Sequence, residues 1–284
     1  MTKDSAPNVS IGMPVYNGEK TLVAALDSIL SQTFSDFEFI ISDNASTDKT
    51  EEICRQYAIN DSRIRYIRQK ENLGAAKNFN YVLNEASSKY FMWATSDDIK
   101  SPDFLEHNYS FLENNPDYVA STSPTRFEGE DFDSVSMGDT SLTGDLPERV
   151  LMFFTSWHAN SRFCSLMKTD ILKKSYYLKK DFLGSDWAAM LDIISHGKTN
   201  RHSEGYVVLG KNGFSNSGTI FKHYRERWIH WPIPFIELIK ATLNISKNFP
   251  FQYKVRIMGK LAKLNYQAVK SSIRTEIKML LSRS

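Results

Sequence analysis

The sequence predicts an α/β fold, with a mixed, mostly parallel central sheet flanked by helices and a helical, basic C-terminal extension. Three observations predict it. Short apolar runs alternate with helix-period segments three times before residue 95, the pattern of parallel strands joined by crossover helices. Polar residues close each of these strands, at the edge where open sheets of this kind bind ligands. Charge is also divided along the chain. Twelve Lys and Arg against three Glu give residues 225–284 a net +9, so the overall +2 leaves residues 1–224 at −7. The expected division is an α/β domain over 1–224 and a basic amphipathic helical extension over 225–284.

The elements follow in order. "NVSIGMPVYN" is a short apolar strand stopped by Pro14 and the Tyr16-Asn17-Gly18 turn. "KTLVAALDSILSQ" places Leu22, Ala25, Leu26, Ile29 and Leu30 at helical spacing. "FEFIIS" is a second buried strand ending at Asp43-Asn44, and "STDKTEEICRQYA" opens on good N-cap chemistry before a helix. "IRYIRQ", "GAAKNFNYVLNEA" and "YFMWAT" supply a third strand, a third helix and a fourth strand. The segment over 128–145 is acidic and rich in Gly and Ser, and reads as a mobile loop, either one that closes over a bound ligand or a solvated insertion. The tail "YKVRIMGKLAKLNYQAVKSSIRTEIKMLL" mixes Lys and Arg with Leu, Ile, Met and Tyr at helical spacing. A helix of that kind suits an anionic membrane surface; the same features also suit a packed helix or a contact between copies of the chain.

Composition narrows the functional classes. Cys54 and Cys164 form no zinc or disulfide spacing, and the N-terminal residues lack the apolar core of a signal peptide. The expected setting is cytoplasmic, peripheral to the inner face of a membrane. No apolar run reaches the length of a spanning helix. The basic tail carries no nucleic-acid recognition motif, so no nucleic-acid partner is expected.

The most informative stretch is "FMWATSDDIKSPDF", where Asp97 and Asp98 follow the fourth strand. Two carboxylates about 4 Å apart repel by ~4 kcal/mol at an effective dielectric of 20. Water dilutes that in a surface loop; the alternative is a cation. The turn after strand one has no G-x-G-x-x-G or Walker-type loop, so a phosphate ligand here needs another counter-charge. Mg²⁺ or Mn²⁺ supplies one, since each takes carboxylate and phosphate oxygens together.

Together, "VSIGMPVYN", "IISDNASTDKT", "RQKENLGAAKNFN" and "WATSDDI" resemble the family 2 inverting glycosyltransferases, over about residues 8–215. The resemblance implies a GT-A fold and transfer of a single sugar from a nucleotide diphosphate sugar, UDP first, to a glycan or lipid-linked glycan in surface polysaccharide synthesis. It implies donor contacts from Pro14, Tyr16, Asn17, Asp43, Asn72, Gly74, Lys77 and Asp97. Asp43 would accept from the base, and Asp98 with Asp97 would hold Mn²⁺ or Mg²⁺. Thr95 departs from the family's acidic motif, standing where a first Asp is often found. Asp186, opening "WAAMLDIISHG", is the implied catalytic base, with Asp181 as second candidate and Asp192 structural; helix-terminal electrostatics alone would also place an acid at 186. Trp157, His158, Arg162 and Lys211 are further candidate contacts to acceptor or phosphate. Tyr224 replaces the Gln of the processive members' Gln-x-x-Arg-Trp motif, which favours single transfer. A nucleotidyltransferase, or a glycan-binding or membrane scaffold of the same fold, are the rival readings.

Overall fold

The computed structural model describes residues 6–127, 139–155, 162–210 and 220–281. The chain begins β1 (Val9–Val15), α1 (Leu22–Leu30), β2 (Phe37–Asp43), α2 (Thr50–Asn60), β3 (Ile64–Arg68), α3 (Ala75–Glu85) and β4 (Tyr90–Trp93). β5 (Ile99–Lys100), α4 (Phe104–Asn114), β6 (Tyr118–Thr122), β7 (Thr125–Phe127) and α5 (Leu146–Thr155) follow. Then come β8 (Leu166–Lys168), α6 (Thr169–Lys174), α7 (Ser185–Ser195), β9 (Lys198–Arg201) and β10 (Val207–Leu209). α8 (Ile220–His223), α9 (Ile236–Ile245) and α10 (Phe251–Leu281) complete it.

The seven-stranded sheet runs β3-β2-β1-β4-β8-β6-β9. Every pair is parallel except those that β8 makes with β4 and β6. β1 is buried at all seven positions, as expected of a parallel strand covered on both faces. One face packs Leu22, Leu26 and Ile29 of α1, Cys54 of α2 and Phe104 and Leu105 of α4 against it. The other carries α3, α5 and α7, with Val82, Val150 and Leu191 among the buried contacts. The same cluster takes in Leu238 of α9 and Ile257 and Leu261 of α10, so the basic extension contributes to the domain core.

A second, small sheet, β5-β10-β7, stands beside the large one. Its strands are two or three residues long, below the length at which alternation can be read from sequence. The solvated-loop reading of 128–145 needs correction for its described part. Asp139 and Leu142 are fully buried, and Leu142 bridges Thr199 on β9; an apolar residue and a paired acid here anchor the loop to the sheet.

Candidate active site

The order in which strands join the large sheet reverses between β1 and β4. β1 leads to β2 and β3 on one side, whereas β4 lies on the other. The crevice outside their carboxyl ends is the position such sheets offer a ligand. Register sets Val15 of β1 beside Asp43 of β2, so both turns open at one level. Asn17 adopts a left-handed backbone (φ 52°). Its side chain accepts the Thr47 N–H at 2.8 Å, and its own N–H donates to Ser46 Oγ at 2.9 Å. Asn17 therefore ties the two turns together, and leaves the Tyr16 ring about half exposed above them.

Asp43 is fully buried, and both carboxylate oxygens are engaged. Oδ1 accepts the Ser46 N–H at 2.8 Å; Oδ2 accepts from Tyr66 Oη at 2.8 Å and from Arg68 at 2.7 Å. Arg68 also reaches Glu51 at 3.2 Å. Burial, then the Asp43 contact, pushes the Tyr66 hydroxyl well above its ordinary range, so it remains a donor. Sequence reading missed Tyr66 and Arg68. The available signal was their spacing, since residues two apart at the end of a strand next to β2 share a face. Asn72 Oδ1 accepts from Asn44 Nδ2 at 2.9 Å and also accepts the Gly74 N–H, which fixes the entry to α3. Lys77 is exposed on α3 and does not line the cleft described next.

That cleft has a volume of about 820 Å³, and Pro14, Asp97, Asp98, Asp181 and Asp186 all line it. Asp98 is nearly buried, and its Oδ1 accepts the Gly210 N–H at 3.0 Å. Burial, then the neighbouring Asp98 charge, raises the Asp97 carboxyl above its ordinary value, offset in part by the Thr95 hydroxyl. Gly210 is pressed against this pair. A Cβ there would lie 2.5 Å from the Asp97 carbonyl oxygen and 2.6 Å from its Oδ2, so only glycine permits the approach. The antiparallel pairing of β5 with β10 delivers Gly210 to this point.

Asp186 lies in the first turn of α7, two residues after the helix cap. The cap is Gly184, with a left-handed φ of 84° and Phe235 packed where a Cβ would sit. Asp186 is therefore not the capping residue. Burial raises its carboxyl to about 6 against the lowering effect of the Trp187 and Asp186 backbone N–H groups. Asp181 accepts from Tyr224 Oη at 2.8 Å, and Asp192 accepts from Ser175 Oγ at 2.6 Å, the structural role expected of Asp192. The reading of Arg162 as a ligand contact is corrected. It is buried and paired with Asp139 at 2.9 Å beside Arg201, which pairs with the same acid; burial lowers Arg162 to about 10. Trp157, His158 and Lys211 lie outside the described residues.

Residues 10–175, which carry β1 to β4 and the Asp pair, match the profile of Glycosyl transferase family 2. The chain belongs to this family. EpsE of Bacillus subtilis is 40% identical over 116 residues, which are 40% of this chain and 42% of EpsE. An uncharacterized glycosyltransferase of Methanocaldococcus jannaschii is 34% identical over 197 residues, 67% of this chain and 66% of that protein. Among solved structures, S. aureus TarS 1–349 in complex with UDP has a TM-score of 0.62 at 18% identity, over 94% of this chain and 88% of that one. The mannosyltransferase PcManGT of Pyrobaculum calidifontis, in complex with GDP-Man and Mn²⁺, has a TM-score of 0.55 at 16% identity, over 99% and 82%. These likenesses establish the GT-A fold.

The donor atoms of this family 2 chain fit a hard divalent cation. Asp97 and Asp98 are adjacent and partly or wholly buried, and one is disfavoured as an anion by the other. A bound cation relieves that cost, and oxygen-only ligation suits Mg²⁺ or Mn²⁺. Aromatic residues also line the cleft. Trp93 stacks on Phe163 at 4.5 Å, and Trp187 on Phe235 at 6.3 Å.

Proposed function

We propose that the chain is an inverting, metal-dependent transferase of one sugar from a nucleotide diphosphate sugar, UDP-linked by preference, to a glycan or lipid-linked glycan in surface polysaccharide synthesis. The observation that carries this reading is the presence of two differently tuned acidic groups on one cleft: the Asp97-Asp98 pair and the desolvated Asp186. UDP in TarS and GDP-Man with Mn²⁺ in PcManGT support the donor class.

In this reading Tyr16 offers its exposed ring to the base, and Asp43, with Arg68 and Tyr66, reads the base edge. Pro14, Asn17, Asn72 and Gly74 shape the nucleotide's bed, and Lys77 attracts the diphosphate from its exposed position. Asp98, with Asp97, would hold Mn²⁺ or Mg²⁺, which when bound supplies Lewis-acid stabilisation of the leaving diphosphate. The acceptor hydroxyl forms the new bond to the anomeric carbon from the face opposite the leaving group. Its proton passes to Asp186, and the bond to the diphosphate oxygen breaks with its electron pair on the nucleotide. A base near 6 is ionised at neutral pH and more basic than an ordinary carboxylate, which suits proton abstraction.

Residues 1–224 make up the catalytic domain in this reading, and 225–284 an extension that docks on an anionic membrane surface at the cytoplasmic face. Among the described residues no helix is long and apolar enough to cross a membrane. On α10, Phe251, Val255, Tyr266, Ile273 and Ile277 are exposed. At 3.6 residues per turn they fall within an arc of about 80°, flanked by Lys254, Lys263 and Lys270. Such a stripe beside bases fits the interface of an anionic bilayer.

Calorimetric titration with UDP, GDP and dTDP, each with Mn²⁺ and then with EDTA, tests the donor site. Binding of one nucleotide that EDTA and Asp98→Asn both abolish is expected. EDTA-insensitive binding removes the metal from the mechanism, and no binding by any nucleotide favours a glycan-binding scaffold.

A further inference from the structure

A second polar cluster lies outside the cleft, where α4 meets the turn between β9 and β10. His107 of α4 is flanked by two carboxylates: its Nε2 is 3.2 Å from Asp103 Oδ2, and its Nδ1 is 3.2 Å from Glu204 Oε2. The His202 ring stacks on it at 5.1 Å. His202 Nδ1 accepts the Glu204 N–H at 3.2 Å, which folds the turn so that this acid stands beside both rings. One ligand atom each from His107, His202 and Glu204 lies within 4.8 Å of the others.

We propose that His107, His202 and Glu204 bind a divalent transition metal of the zinc class, with Asp103 holding His107 in the ligating tautomer. A neutral imidazole has one N–H and satisfies one of two flanking carboxylates. With that N–H directed at Asp103, the lone pair of Nδ1 faces Glu204, acceptor against acceptor, and a cation between them removes the conflict. Two imidazoles and a carboxylate are a donor set for zinc, whose bonds of about 2.0–2.2 Å place tetrahedral ligands roughly 3.3–3.5 Å apart. The His107–Glu204 separation already meets this, and His202 needs to close by about 1.5 Å at most. Asp103 completes a carboxylate–histidine–metal relay of the kind that orients such ligands. The chemistry differs from the oxygen-only Asp97-Asp98 pair, so the two sites select different ions.

The position gives the site a purpose. The 202–205 turn leads into β10 and then to Gly210, which donates to Asp98. The Ser101 N–H donates to the Tyr206 carbonyl and the Tyr206 N–H donates to Ser101 Oγ, both at 2.9 Å. A metal joining α4 to this turn fixes the same small sheet from its outer edge.

The test uses untagged full-length protein and ZnCl₂ by calorimetry, with CoCl₂ absorption as a report of tetrahedral ligation. One equivalent of Zn²⁺ is expected, raising Tm, and kept by Asp98→Asn. Glu204→Gln, at an exposed position that does not threaten folding, weakens binding at least tenfold, His107→Asn at least a hundredfold, and Asp103→Asn by roughly 10–100-fold. Zinc binding that Glu204→Gln and His107→Asn leave unchanged overturns the proposal. So does zinc binding lost in Asp98→Asn alone, or the absence of zinc binding by the folded wild-type chain.

Discussion

Replacing Asp186 by Asn separates the cost of the buried carboxylate from its use. Burial raises the group from 3.8 to about 6. Each unit is worth 1.36 kcal/mol, so an ionised Asp186 lowers stability by ~3 kcal/mol relative to an unshifted acid. The sign follows from proton uptake. Between pH 3.8 and about 6 the folded chain holds this proton more often than the unfolded chain, so stability falls as pH rises through that window. The penalty is complete above it and absent below it. Asn has the same shape without the charge. For 284 residues, an unfolding entropy of about 2.1 cal/mol/K per residue turns ~3 kcal/mol into a Tm rise of about 5 °C. Asp186→Asn is therefore expected to melt about 5 °C above wild type at pH 7.5, with the gap closing towards pH 4. In the same variant kcat falls 10²–10⁴-fold while nucleotide affinity is unchanged. Wild-type kcat falls about tenfold per unit as pH drops below 6. A Tm gap that is the same at pH 4.5 and 7.5, or a kcat within tenfold of wild type, refutes the reasoning.

Three other perturbations reach separate parts of the structure. Gly210→Ala drives a Cβ into Asp97 and is expected to weaken Mn²⁺-dependent nucleotide binding at least tenfold by calorimetry, while Zn²⁺ uptake at His107 persists. Leu261→Ala, at a fully buried position of α10, costs about 2–5 kcal/mol, read by urea unfolding; a negligible loss would mean that the extension is not part of the core. Sedimentation with vesicles containing phosphatidylserine is expected to retain the wild type at low salt and release it at 0.5 M NaCl. Phe251→Asp combined with Val255→Asp lowers retention, and equal binding to neutral vesicles would refute an electrostatic contribution.

What could be read in the sequence divides along physical lines. β1 to β4 and their helices were legible because burial on both faces writes continuous apolar runs, and crossover helices write a 3.6 period between them. The Asp pair stood out because two acids after a buried strand conflict with local electrostatics. Gly210 could not be found this way. It meets Asp98 across 112 positions of chain, through strands too short to show alternation, and attention to its neighbourhood fell on Lys211 instead. Arg162 was misread for the related reason that an isolated Arg looks like a surface contact until Asp139 is found beside it, 23 residues earlier in the chain. The family resemblance implied Asp186, but its elevated pKa is tertiary, raised by burial in a cleft lined from α3, β4 and α8.

The two acidic groups in the cleft carry opposite requirements that the fold meets by different means. Asp97 is held near a second anion and gains from a cation; Asp186 is raised by burial, and gains from a proton. A fold selected for stability alone would give both groups cationic partners, as it does for Asp139 with Arg162 and Arg201 and for Asp43 with Arg68. Among the described residues, Lys100 offsets the Asp97 charge only in part, and neither cleft group forms an ion pair of the kind that acids elsewhere in the chain have. The electrostatic cost is thus concentrated where a divalent cation and an acceptor proton can relieve it, which is the distribution expected of a site that uses both.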